Sequence, residues 1–301
     1  MIVLDGKMLA AKMRAEMKQE IETIHKQGIF PNLGVILVGD FAPSVIYVRN
    51  KENACQEVGI KTETLRLKDN ISENDLLGII KEWNHKSDIS GILVQMPLPK
   101  HINHQRVLDS IIPHKDVDGL SVYNLGRLIA GQIPYFYPCT PLGIIELLNR
   151  YQITTAGKHC VIVGRGELVG KPLANMLLLK EIHSPQEKRY AGNATVTVCH
   201  SQTKDIEYHT RQADILIVAI GQPNFINKKM VKENSVVIDV GVNRISIGEN
   251  KTKLVGDVDF DAVKDIVWAI TPVPGGVGPM TVTMLLQNTI KAAKQMRNIK
   301  S

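Results

Sequence analysis

Tyr47 and Lys51 stand four residues apart in 44-SVIYVRNK-51. Residues at i and i+4 share one face of a helix, so a phenol and an ammonium here would point into the same space. A lysine takes up protons near neutral pH only where burial or a nearby cation lowers its pKa. The competing reading is a half-buried helical face whose polar tips reach water.

A second set of residues suits phosphate chemistry. The apolar run 160-CVIVG-164 leads directly into 164-GRGELVGKP-172 and a following helix. Gly164 and Gly166 would let backbone amides approach a pyrophosphate, whose charge the helix N-terminus would offset. The spacing G-x-G-x-x-x-G is one residue longer than the common dinucleotide fingerprint, and a tight strand-to-helix turn would use the same glycines. An NAD site usually places an acid at the end of the next strand for the ribose 2′-hydroxyl. Here that strand ends in 200-HSQT-203, with Ser201 as a neutral donor and Arg165 placed to meet a 2′-phosphate. NADP is therefore expected over NAD.

The rest of the chain bounds the answer. Its 301 residues are long enough for two domains, and 44% apolar with 22% charged residues is an ordinary soluble composition. Asp5, Lys7 and Lys12 interrupt the opening segment where a signal peptide would need an apolar core, so a cytoplasmic location is expected. Runs such as 213-ADILIVAI-220 are too short to span a membrane. Cys55, Cys139, Cys160 and Cys199 have no C-x-x-C spacing, so neither a metal site nor a disulfide framework is expected. The net charge of +6 is spread among acids along helices instead of clustering, which favours small anions over nucleic acid as partners.

These residues need elements to hold them. Helical spacing over 5–28 ends on Gly28, and 33–40 reads as a buried strand. Ser44 is placed to cap the next helix, which Gly59 stops and which carries Tyr47 and Lys51 in its first turns. Strand 61–67, helix 72–86 and strand 90–95 follow, then a turn-rich 113-PHKDVDGL-120 with Asp116 and Asp118. A second series begins with helix 141–151 and strand 159–164, and continues through strands at 194–200, 213–219 and 235–241. The segment 180–192 reads as a polar exposed loop, and 279–298 as a last amphipathic helix. Such alternation predicts an α/β fold with mostly parallel sheets. The expected organisation is an N-terminal α/β catalytic domain of residues 1–139 and 280–301, with a Rossmann-type dinucleotide-binding domain, 140–279, inserted before the C-terminal helix returns.

Tyr-x-x-x-Lys is also the catalytic pattern of short-chain dehydrogenases, but those carry the glycine loop first, whereas Tyr47 precedes Gly164. The order fits another family. Over essentially its full length the chain resembles bifunctional methylenetetrahydrofolate dehydrogenase/methenyltetrahydrofolate cyclohydrolase, known in bacteria as FolD. The matching segments are 47-YVRNK-51, 91-GILVQMPLP-99, 115-KDVDG-119, 138-PCTPLG-143, 164-GRGELVGKP-172, 197-TVCHS-201, 236-VVIDVGVNR-244 and 274-PGGVGPMT-281. The resemblance implies oxidation of 5,10-methylenetetrahydrofolate with NADP+, then hydrolysis of the methenyl cation to 10-formyltetrahydrofolate in one pocket.

The resemblance also implies roles. Lys51 would act on the attacking water, Gln95 would hydrogen-bond Lys51, Tyr47 would stack on the folate ring, and Asp118 would accept hydrogen bonds from the pterin. Pro274, Gly275 and Gly276 would border the folate in a loop passing between the domains. Thr140, Gly164, Arg165, Gly166, Ser201, Val242, Gly278 and Thr281 would line the NADP site, and no metal is implied. Two positions depart from the family pattern: Gly166 stands where a serine is usual, removing one hydroxyl donor, and Gln202 where arginine or lysine is common. Tetrahydrofolate derivatives, including polyglutamylated forms, are the expected partners, with no nucleic acid or membrane. A homodimer is expected, with 194–200 as a candidate edge strand. The alternatives are a dehydrogenase that has lost the hydrolytic step, which would not need Lys51 with Gln95, and a non-catalytic dinucleotide-binding regulator, which would not need Tyr47, Lys51, Gln95 and Asp118 together.

Overall fold

The computed structural model describes residues 1–186, 189–248 and 251–300. The chain divides into two compact units, one of Ala11–Cys139 with Val282–Ser301, the other of Met1–Ala10 with Thr140–Thr281.

In the first unit three parallel strands lie in the order Lys61–Leu67, Asn32–Val38, Gly91–Val94. The central strand, NLGVILV, is buried throughout. A continuous apolar run is what a parallel strand covered on both faces requires. Helices Ala42–Val58 and Glu73–His85 form the crossovers. Ser72 starts the second by accepting a hydrogen bond from the Asp75 amide at 3.1 Å. Its Trp83 lies so close over Gly34 that a Cβ there would sit 2.6 Å from the indole.

Ser44 does not cap as expected. Pro43 in the first turn lets the helix begin at Ala42, and the Ser44 hydroxyl, now inside it, donates to the Met96 carbonyl at 3.3 Å. Helix Gly6–Lys26 buries Leu9, Ala10, Met13, Met17, Ile21 and Ile24 at helical spacing and ends at left-handed Gly28 (φ 74°). The C-terminal helix is longer than predicted, Val277–Lys300, and its part from Val282 belongs to this unit.

The second unit is built on six parallel strands in the order Ile2–Val3, Ala269–Ile270, Val236–Asp239, Ile215–Val218, His159–Val163, Thr195–Cys199. From His159–Val163 the chain runs first to one neighbour and then to the other. That reversal makes its carboxyl end the switch point of the sheet, where open α/β folds bind ligands. Thr195–Cys199 lies at the sheet edge, as read from the sequence. Ile2 and Val3, next to the N-terminus, form a strand because Ala269–Ile270 offers its free side.

Segment 180–192 is not a plain loop. Glu181–His183 and Arg189–Ala191 pair antiparallel, with Ile182 fully buried. The Tyr190 hydroxyl donates to Glu146, a buried carboxylate that also takes the Arg150 guanidinium at 2.8 Å. A second hairpin, Asn243–Ser246 with Thr252–Val255, was likewise not expected. Among the described residues no helix is long and apolar enough to cross a membrane, and no group of three His, Cys, Asp or Glu could hold a metal ion.

Candidate active site and nucleotide cradle

Lys51 is presented by the third turn of helix Ala42–Val58, partly buried, while Tyr47 one turn earlier is 43% exposed and open to a flat ligand. Gln95 directly follows strand Gly91–Val94 at its carboxyl end, and its amide nitrogen extends the ladder to Ile36 O at 2.9 Å. Its side chain is held from both sides. Oε1 accepts from Lys51 Nζ at 2.9 Å, and Nε2 donates to Met96 O at 2.6 Å. The two contacts settle which way the amide points, because an ammonium can face only the oxygen.

The 115-KDVDG-119 segment separates two aspartates by task. Asp116 is buried and spends its carboxylate on the chain: Oδ1 accepts from the Gly119 amide at 3.0 Å, and Oδ2 from the Ser121 amide and Asn124 Nδ2, both at 2.9 Å. This leaves Asp118 as the carboxylate that acts on Lys51. Two glycines allow the segment to lie where it does. A Cβ on Gly91 would meet Val117 at 2.3 Å, and Gly119, at φ 73°, lies against the Tyr137 backbone.

Two residues of this site escaped the sequence reading. Cys139 is buried, with Sγ 3.3 Å from Val117 O. Asn288, on the C-terminal helix, donates through Nδ2 to Val117 O at 2.8 Å and to Tyr137 O at 3.3 Å. Together they clamp the backbone on which Asp118 sits. Cys139 belongs to the 138-PCTPLG-143 motif, so a signal for it existed; Asn288 had none, because its partners are carbonyls.

Burial lowers the Lys51 ammonium from its ordinary value, against the pull of Asp118 and then of Cys139 and Cys55. Those thiols draw on the ammonium only as thiolates, and burial holds both protonated: Cys55 is pushed up to about 12 and Cys139 well above its usual value. Asp118 is therefore the anion that matters. Burial raises its own pKa, and Lys51 pulls it back down. Burial thus moves the two groups toward each other, Lys51 down and Asp118 up.

In the second unit, Gly164 closes strand His159–Val163 at φ 127°, where a Cβ would lie 2.3 Å from the Ala219 carbonyl. Gly170, which opens helix Gly170–Leu178, has equally little room: its Cβ would be 2.0 Å from Gly164 O. Only glycines close this turn so tightly onto a helix N-terminus, the cradle a pyrophosphate needs. Gly166 is different, with nothing within 4 Å of a Cβ, so its missing side chain leaves open space. Val163 pairs with Cys199, which puts Arg165 and Ser201 each two residues past neighbouring strand ends, both exposed.

Val242, 46% exposed, follows strand Val236–Asp239 on a loop anchored by two buried carboxylates. Asp239 accepts from the Gly241 and Val258 amides at 3.1 and 2.9 Å, and Asp257 from those of Ile220 and Gly221 at 2.7 and 3.0 Å. Burial pushes Asp239 up to about 7. Thr140 and Thr281 share a hydrogen bond of 3.0 Å between their hydroxyls. Pro274 follows a cis peptide bond, Gly275 is left-handed at φ 111°, and Gly276 is buried against Pro272 O. The Lys7 amide binds Gly275 O at 2.8 Å, while Gly278 is exposed. Lys51, Gln95 and Asp118 thus form one cluster, and the expected nucleotide residues gather around the carboxyl ends of the six-stranded sheet and the 274–281 loop.

Two family models match the chain. Residues 4–118 match the catalytic domain of tetrahydrofolate dehydrogenase/cyclohydrolase, and residues 138–297 its NAD(P)-binding domain. The bifunctional protein FolD of Chloroherpeton thalassium is 51% identical over 297 residues, covering 97% of this chain and 98% of its own. Among solved structures, the bifunctional FolD methylenetetrahydrofolate dehydrogenase/cyclohydrolase of Campylobacter jejuni superposes with a TM-score of 0.91 at 48% identity, covering 98% of this chain and 99% of its own. The Trypanosoma brucei FolD, solved with NADP cofactor and an inhibitor, gives 0.90 at 35% identity, covering 100% and 99%.

Proposed function

The chain belongs to the tetrahydrofolate dehydrogenase/cyclohydrolase family, and on that premise we propose how its residues divide the work. It is a bifunctional enzyme that oxidises 5,10-methylenetetrahydrofolate to the methenyl form with NADP+ and hydrolyses that cation to 10-formyltetrahydrofolate. The observation that carries the division is the 2.9 Å bond between Lys51 and Gln95, which holds a lysine of lowered pKa opposite Asp118.

In this reading Asp118 accepts hydrogen bonds from the pterin ring, and Tyr47 lays its exposed ring on the folate. Water adds to the methenyl carbon between the two folate nitrogens, and its proton passes to the neutral amine of Lys51. The bond from that carbon to N5 then breaks: N5 takes the proton back from Lys51, the adduct hydroxyl gives its own proton to solvent as it becomes a carbonyl, and the formyl group stays on N10. Gln95 keeps the amine aimed at the water, while Pro274, Gly275 and Gly276 border the folate. When bound, NADP+ supplies the hydride acceptor. Gly164 and Gly166 would hold its pyrophosphate, Arg165 and Ser201 its 2′-phosphate, and Thr140, Val242, Gly278 and Thr281 would complete the contacts. The tightness of Gly164 and Gly170 supports this fit. An absorbance assay with methylenetetrahydrofolate and NADP+ or NAD+ tests the activity, and the absence of cofactor reduction would refute it.

Arg165→Ala is expected to weaken NADP+ binding through loss of charge-assisted hydrogen bonds, each worth about 1.5–3 kcal/mol, and to leave NAD+ use nearly unchanged. Equal losses with both cofactors would show that Arg165 does not read the 2′-phosphate.

The protein works in the cytoplasm as a homodimer, on folates that include polyglutamylated forms, and engages neither nucleic acid nor membrane. Thr195–Cys199 supports the dimer: among the described residues it is the last strand of the sheet, an edge that a second copy would cover. Sedimentation at micromolar concentration should give twice the 33.4 kDa chain mass. A monomer would overturn the assignment.

A further inference from the structure

At the end of the three-stranded sheet opposite Gln95, the strands Asn32–Val38 and Lys61–Leu67 start beside a cavity of about 340 Å³. Its floor holds Asn32, only 2% exposed. The Asn32 backbone is satisfied, since its amide donates to Ser90 Oγ at 3.2 Å and its carbonyl accepts from the Ser90 amide at 2.8 Å. The side chain is not: neither Nδ2 nor Oδ1 has a hydrogen-bond partner among the described residues. Buried polar side chains are almost always paired, and the packing of the strand would be served as well by an apolar residue.

The cavity rim is of a different character. Phe30 is 65% exposed, its ring 5.0 Å from that of His25, and Lys61 and Arg297 are exposed cations on the same rim. A carboxamide presents a donor and an acceptor side by side, which matches the N6 and N7 edge of adenine. An aromatic face offers the base a surface to stack on, and the two cations suit a phosphate. We propose that this cavity is a second ligand site that takes a purine mononucleotide, with the base edge on Asn32, the ring against Phe30 and the phosphate between Lys61 and Arg297. Because both polar atoms of the Asn32 amide are shielded from solvent, entry requires the cavity wall over them to open.

The test is a calorimetric titration of the full-length protein with adenosine 5′-monophosphate at saturating NADP+, so that the dinucleotide site is filled. Adenosine and ribose 5-phosphate serve as half-ligands. Adenosine 5′-monophosphate should bind with a dissociation constant below about 1 mM, and each half-ligand about tenfold more weakly or worse. Asn32→Leu should weaken that binding about tenfold or more without changing dehydrogenase activity, as loss of a bidentate base contact predicts. Arg297→Ala, at an exposed side chain, should weaken the mononucleotide while leaving adenosine unaffected, and it decides the matter if the Leu variant does not fold. No binding by adenosine 5′-monophosphate, equal binding by ribose 5-phosphate, or binding indifferent to both substitutions would overturn the site. None of these outcomes bears on the dehydrogenase and cyclohydrolase reading, which is measured separately on the same proteins.

Discussion

Lys51→Met should cost the enzyme nearly all hydrolysis of methenyltetrahydrofolate, a loss of about 10²–10⁴-fold, the range that general acid–base groups contribute. Methionine matches the length of the lysine stem and keeps the packing, but it can neither accept a proton from water nor answer the Gln95 oxygen 2.9 Å away. Hydride removal from the methylene group needs no proton acceptor at this position, so the dehydrogenase should fall less. The wild-type hydrolysis rate should rise with pH as the ammonium loses its proton, with an inflection below the ordinary lysine value of 10.5 because burial favours the neutral amine. That inflection should be missing in the Met variant. Tyr47→Phe keeps the ring and should be milder than Tyr47→Ala in both activities. Full hydrolysis by the Met protein, above the spontaneous rate, would remove Lys51 from the mechanism.

For Asp118→Asn the expected effect is on substrate binding and on Lys51 together. The amide keeps the shape of the carboxylate but trades one acceptor for a donor, which costs a charge-assisted bond to the pterin of about 1.5–3 kcal/mol. The KM for folate should rise by about 10- to 100-fold, with the KM for NADP+ unchanged. The second signature follows from the sign of the coupling. Asp118 is the anion that raises the Lys51 pKa against burial, so its neutralisation should move the hydrolysis inflection to still lower pH. A higher KM with no shift in the inflection would show that Asp118 binds substrate but does not govern Lys51. Unchanged KM values would exclude it from the pterin contact.

Much of this architecture was legible because the signals were local. Lys61–Leu67 was found at its full span, and Asn32–Val38 to within a residue at its start; for the second, an apolar run between turn residues admits few other readings. The glycine loop was readable for the same reason, since Gly164 and Gly170 answer steric demands inside a single turn. What was missed depends on distant partners. Hairpin Glu181–His183 with Arg189–Ala191 owes its place to the bond from Tyr190 to Glu146, which no window around residue 185 contains. Ile2–Val3 is too short to be read as a strand before Ala269–Ile270 is known to lie beside it. Ser44 looks like a cap until Met96 takes its hydroxyl. Asn288 lies 171 residues from the Val117 carbonyl it holds, and nothing near it in the chain marks it as part of a site.

The four cysteines, of which Cys55 and Cys139 lie beside Lys51, have a further use. All are buried, and burial raises each thiol, Cys55 and Cys160 to about 12. Thiol reagents attack the thiolate, so the native protein should tolerate them and need no reductant in storage. A cysteine then reacts only when its surroundings open, which makes its labelling rate a clock for that opening. Cys55 and Cys139 fall in one unit, Cys160 and Cys199 in the other. The natural sequence thus carries two independent pairs of reporters, from which the local stability of each half could be timed without introducing a single probe.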